Sequence, residues 1–260
     1  MIRSQRTLFL LSSAALFFSG IIFLSYRTYA WGMLPMMGLL LLYLSTKNNR
    51  SVASLFFFFL IGFLIFQWAT GWINGWDISK ETNILLNRSF LLFLLISLAV
   101  SQWLAKEKVR FYMRFPDRSM RISMPSHTIS LPLFLLIGLA GSSTIFIPLI
   151  WSEGISEVKS LFLFAIGFTI LNATLEELIW RGVMLSALIR NTSVVYAITV
   201  TSIGFGLLHL SIGIPLLLSL LFSFGGLFYS IVVLKTDSIY PSIAFHMVMN
   251  MGMVVNGWIN

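Results

Sequence analysis

The chain has 260 residues, 58% of them hydrophobic and 10% charged. A soluble domain of this size carries about 25% charged residues, so the composition points to a polytopic membrane protein and leaves no room for a separate polar domain. The net charge is +8, and the absence of cysteine excludes disulfides, thiolate metal sites and thiol nucleophiles.

Nine apolar runs follow one another, over residues 7–26, 31–46, 52–73, 84–104, 131–151, 160–188, 192–210, 214–234 and 239–258. Each approaches or exceeds the ~20 residues that a bilayer core requires. The first follows Arg3 and Arg6. It is too long for a signal-peptide core of roughly 7–15 residues, so it reads as an uncleaved anchor. The second is short and contains Pro35. In the third, residues 56–60 form an aromatic-rich stripe that reads as lipid-facing surface.

Lys and Arg placement sets the orientation. With the N-terminus in the cytoplasm, the inside segments hold Arg3, Arg6, Lys47, Arg50, Lys106, Lys108, Arg110, Arg114, Arg118, Arg121, Arg190 and Lys235. The outside loops hold only Arg27, Lys80 and Lys159, while Arg88 and Arg181 fall within spans. This bias favours N-in and C-out. The charges therefore read as topology signals, with no nucleic-acid partner implied. The longest loop, residues 105–130, carries six basic residues. It reads as an anchor lying on anionic lipid. It divides the chain into an N-terminal part, which shows no buried functional groups, and a C-terminal part that holds them all.

The sixth run contains Glu176-Glu177-Leu178-Ile179-Trp180-Arg181-Gly182. Each charge at a helix centre costs about 2.5–3.5 kcal/mol on insertion scales, so three charges there call for a use. On a helix Glu177 and Arg181 stand at i and i+4 with the acid first, the favourable order for a pair. Glu176 points about 100° away and is left free to act as a base. Asn172, one turn earlier on the same face, is placed to hydrogen-bond it. The seventh run carries Phe205 and His209, and the ninth His246 and Asn250, each pair again at i and i+4. Two of the chain's three histidines thus lie in apolar spans. Together these groups suit hydrolysis. Glu176 takes a proton from water, His209 orients that water, and His246 and Asn250 donate to an oxyanion. Glu176, His209 and His246 also make a ligand set for catalytic zinc, although Asn250 is a better oxyanion donor than zinc ligand and no H-E-x-x-H is present.

In this order, E-E-x-x-x-R, F-x-x-x-H and H-x-x-x-N within apolar helices resemble the motifs of the CAAX protease and bacteriocin-processing (CPBP, or Abi) family of intramembrane proteases. The resemblance covers residues 160–258 and includes Gly182 after the first motif and the segment Pro241-Ser242-Ile243-Ala244-Phe245-His246 of the third. The apolar runs predict an all-α, polytopic transmembrane helical bundle of about eight to nine spans, and the resemblance implies the same helical membrane fold. Residues 1–130 would form N-terminal helices and a basic loop, and residues 131–260 a protease core with four catalytic helices. The implied roles are water activation by Glu176 and His209, oxyanion stabilisation by His246 and Asn250, and support from Glu177, Arg181 and Phe205. Members are often named as metalloproteases, so zinc stays open beside a metal-free route.

The implied partners are the lipid bilayer and a membrane-associated peptide or protein: a prenylated C-terminus, a peptide pheromone or a bacteriocin. The compact length and the lack of an obvious organelle signal favour a bacterial plasma membrane, where a self-immunity role would also fit. A non-catalytic scaffold and a proton-coupled transporter are the competing readings. One difficulty is depth. Straight helices would leave Glu176, His209 and His246 at different levels, and a tilted, buried turn at residues 211–215 is expected to bring them together.

Overall fold

In the computed structural model, residues 2–45, 49–123, 126–144 and 155–259 are described. Among them the chain is a bundle of α-helices with one small hairpin. The N-terminal part holds α1 (Ile2–Ser25), α2 (Tyr29–Ser45), α3 (Arg50–Ile73), α4 (Lys80–Ser89) and α5 (Leu91–Leu104). The loop contains β1 (Arg121–Ser123) and β2 (Thr128–Ser130), paired antiparallel. There follow α6 (Leu131–Thr144), α7 (Ile155–Glu177), a π-helical stretch (Leu178–Leu185), α8 (Ser186–Asn191), α9 (Val194–Leu208), a 3-10 turn (His209–Ile212), α10 (Leu216–Thr236) and α11 (Tyr240–Val255).

All nine apolar runs are helical where described. Six stretches are long and apolar enough to cross a membrane, among them Lys80–Leu104, which unites α4 and α5, and Phe162–Asn191, which carries the first motif. Tyr29–Ser45 and Leu131–Thr144 are shorter apolar helices. The end of the fifth run, residues 145–151, and Lys47 lie outside the described residues, as do the side chains of Arg3 and Lys159.

The N-terminal core is aromatic. Phe17 of α1 stacks on Phe56 of α3 at 4.4 Å between ring centroids and meets Phe59 edge-on at 5.1 Å. Phe56, Phe59 and Leu60 are fully buried. This corrects the lipid-facing reading of residues 56–60, because α1 and α5 pack over that face of α3 and cover it. Trp180 of the π-helical stretch joins this core to the C-terminal one, lying 5.0 Å from Phe59 and 6.3 Å from Phe205.

The C-terminal core is made by α7, the π-helical stretch, α9, α10 and α11. Helices α9 and α10 approach closely because of glycine. A Cβ on Gly226 would stand 2.9 Å from the Cα of Ser202. Close approach through small residues is how apolar helices gain packing in a membrane, where water exclusion cannot drive them together.

The basic loop does more than face lipid. Arg110 makes a two-pronged ion pair with Asp237 in the turn between α10 and α11, at 2.6 and 2.7 Å. Lys235 donates to the Ser123 carbonyl at 3.1 Å, and Phe115 stacks on Tyr240 at 4.5 Å. Arg190 of α8 donates to Gln102 at 2.6 Å and Glu107 at 3.0 Å, while Arg6 of α1 reaches the Asn191 carbonyl at 2.9 Å. Arg6, Arg110, Arg190 and Lys235, all assigned to one side by the charge count, thus meet at one end of the bundle, and the loop straps across it.

Candidate active site

Glu177 is fully buried at the end of α7 and Arg181 fully buried one turn later. Arg181 Nη1 donates to Glu177 Oε1 at 2.8 Å, as the i, i+4 spacing predicts. Its Nη2 donates to the Gly226 carbonyl at 3.0 Å, and its guanidinium faces the rings of Phe205 at 4.7 Å and Tyr229 at 5.1 Å. Close approach at Gly226 therefore does two things: it packs α10 on α9 and brings a carbonyl to a buried cation. The Phe205 ring covers the Arg181 guanidinium. The π-helical geometry begins at Leu178, between the two motif acids and the arginine. Such widened turns are rare and concentrate at functional sites.

The spacing argument does not foresee the next contact. His246 of α11 is tied to Glu177: its Nδ1 lies 3.0 Å from Glu177 Oε1, and Ser242, one turn earlier, hydrogen-bonds Glu177 Oε2. Because a carboxylate only accepts, Nδ1 carries the proton. The other ring nitrogen, Nε2, faces Glu176 Oε2 at 3.5 Å. Glu177 is thus the organiser of the site, holding Arg181, His246 and Ser242 at once. Tyr229 stacks on the His246 ring at 4.9 Å and fixes its plane. The i, i+4 relation of Ser242 and His246 is visible in the sequence and marks a shared face. Nothing local marks Tyr229.

His209 opens the 3-10 turn after α9. Its Nδ1 donates to the Phe205 carbonyl at 3.0 Å, and its ring stacks on Phe222 at 4.1 Å. The turn itself is not buried. Ile212 is exposed, and Gly213 ends the turn with φ at +88° on the surface. Convergence comes instead from the tightened turn at His209 and the widened stretch after Glu177, so the buried turn expected at residues 211–215 is corrected. The expected bond between Asn172 and Glu176 is absent too. Asn172 Oδ1 and Glu176 Oε2 are both buried without a hydrogen-bond partner, as is Asn250 Nδ2. Both of the first two atoms are acceptors, so they cannot bond each other.

Two cavities meet at His209 and Asn250. One is a chamber of about 20 Å³ whose wall joins Asn172, Glu176, His209, Asn250 and Arg88 of α4 to the apolar Phe168, Leu208, Ile212, Met253 and Ile259. The other is an apolar cavity of about 260 Å³ between α10 and α11, bounded by Phe205, Phe222, Tyr229, His246 and Met249. Its rim residues Leu221 and Trp258 are exposed, so it reaches the molecular surface. Arg88, from the N-terminal part, thus lines the smaller chamber beside residues of the C-terminal motifs. Helix α4 packs on α7, and Ile84 and Leu85 seat it against Phe164, Phe168 and Val254.

Residues 158–252 match the family model described as type II CAAX prenyl endopeptidase Rce1-like. All three motifs lie inside the matched segment. The match is consistent with a CPBP-family protease, as their resemblance implies, and with six membrane-length helices it marks an integral membrane protein. No curated protein and no solved structure matches the chain.

The fit of a metal to this Rce1-like segment can be tested on its donors. His209 and His246 both donate from Nδ1, to a carbonyl and a carboxylate, which is how ligating histidines are commonly held. Among the described residues, however, no three His, Asp or Glu side chains converge on a common point that could hold an ion. The set Glu176, His209 and His246 does not fit zinc in this geometry.

Proposed function

We propose that the chain is an intramembrane endopeptidase that hydrolyses a membrane-associated peptide by glutamate-activated water. The observation that supports this reading is the junction at His209 and Asn250, where a chamber holding Glu176 meets an apolar cavity of about 260 Å³ that opens to the surface. Of the substrate classes considered, a CAAX-type prenylated C-terminus suits an apolar entrance best, and it is the class that the matching family's description names.

In the reaction, Glu176 takes a proton from water while the water oxygen bonds to the scissile carbonyl carbon. His209, whose Nδ1 proton is committed to Phe205, presents Nε2 as an acceptor and shares in orienting that water. The carbonyl π electrons move onto oxygen, and the oxyanion takes hydrogen bonds from Asn250 Nδ2 and, when its ring carries both protons, from His246 Nε2. Collapse breaks the C–N bond, and the proton on Glu176 passes to the leaving amine. Glu177 supports the His246 imidazolium through Nδ1, and Arg181 supports Glu177.

The test uses the chain reconstituted in vesicles and a farnesylated CAAX peptide bearing a fluorophore and quencher. Glu176→Gln is expected to lower cleavage by about 10²–10⁴-fold, the range of general acid–base catalysis. Cleavage by the variant at the wild-type rate would remove Glu176 as the base.

A further inference from the structure

The smaller chamber has a composition that the proposed mechanism does not use in full. Four residues of its wall each carry a buried polar atom without a hydrogen-bond partner: Glu176 Oε2, Asn172 Oδ1, Asn250 Nδ2 and Arg88 Nε. Two of these atoms accept and two donate. Among the described residues the Arg88 guanidinium has neither an ion pair nor a hydrogen bond, although Glu176 and His209 lie within its electrostatic reach. Buried polar groups left unsatisfied are costly, about 1–3 kcal/mol each, so four around one space call for an occupant. The chamber offers about 20 Å³. It exceeds the roughly 10–15 Å³ that one water needs, and a buried water needs two to four polar partners.

We propose that this chamber holds the reacting water at rest, and that Arg88 and Asn172 are water-positioning residues. The inference rests on the endopeptidase reading above. The water donates one hydrogen to Glu176 Oε2, the proton that transfers, and shares the other, the proton that stays, between Asn172 Oδ1 and His209 Nε2. Arg88 Nε and Asn250 Nδ2 donate to its lone pairs. Asn250 borders both cavities. Its amide is therefore the donor that leaves the water for the carbonyl oxygen when substrate enters, which frees a lone pair for attack. Arg88 remains behind as the fixed donor. In this way α4, outside the matched segment, completes the site.

The experiment measures kcat and KM for the farnesylated CAAX peptide in vesicles, per folded molecule, for wild type, Glu176→Gln, Arg88→Gln, Asn172→Ala and Arg88→Ala with and without added guanidinium. Misplacing a reacting group by about 1 Å costs up to roughly 10²-fold. The expected result is that Arg88→Gln and Asn172→Ala each lower kcat about ten- to a hundredfold with KM unchanged, and that guanidinium restores part of the kcat of Arg88→Ala. Should Arg88→Gln fail to fold, Asn172→Ala decides. A wild-type kcat in both variants beside an inactive Glu176→Gln overturns the water site and leaves the endopeptidase reading standing. A change in KM alone also overturns it, since Arg88 would then bind substrate. An active Glu176→Gln removes the endopeptidase reading itself.

Discussion

The N-terminal and C-terminal parts of this bundle are equally apolar in sequence and differently built inside. Around α1, α3 and α5 the interior is a stack of phenylalanines, and its buried polar groups are uncharged, several of them bonded to helix carbonyls. Gln67 reaches the Leu24 carbonyl at 2.9 Å, Ser97 that of Phe58 at 2.6 Å and Ser13 that of Phe9 at 2.8 Å. Around α7, α9, α10 and α11 the interior is ionic, with Glu177 binding Arg181, His246 and Ser242 together. Beside that ion-paired cluster lies the chamber whose wall carries four unpartnered polar atoms. The first interior holds helices together. The second gathers charged and polar groups, and Trp180 couples the two.

Substitutions sharpen this contrast. Breaking a buried ion pair by removing one partner costs about 3–5 kcal/mol, so Arg181→Ala and Glu177→Ala are expected to be the most disruptive. Thermal unfolding in detergent would show this, and a stability near wild type would mean that the ionic cluster is not a unit. Phe56→Ala should cost a similar amount, about 3–5 kcal/mol, yet leave kcat per folded molecule unchanged. A fall in kcat there would mean that the aromatic core steers the site directly. Gly226→Ala forces α9 and α10 apart and should cost about 1–3 kcal/mol, the usual range for overpacking. It should also loosen the Arg181 contact to the Gly226 carbonyl. Arg110→Ala removes an exposed pair with Asp237 and should change stability by about 0–1 kcal/mol. A larger loss would show that this exposed pair carries most of the loop's docking.

What the sequence made legible was local. The helical runs and the Glu177–Arg181 pair follow from helix spacing. Where tertiary packing decides, the sequence was silent. Nothing near Phe56 and Phe59 says that α1 and α5 will cover them. The four-residue spacing of Ser242 and His246 shows a common face, but not that Glu177 waits opposite. Arg88 reads as one more charge in a span because its meaning lies in α4 packing on α7. The docking of the basic loop likewise depends on Asp237, a single acid far away in sequence.

The central claim is that the ionic interior is a hydrolytic centre. Its most direct test compares membranes from a host lacking the protein that expresses either wild type or Glu176→Gln at equal levels, with new peptide termini profiled by mass spectrometry. The account predicts termini that appear only with wild type and end close to a membrane-associated segment. Identical profiles, with both forms rescuing the phenotype of the host, would contradict it and leave a non-catalytic scaffold in its place.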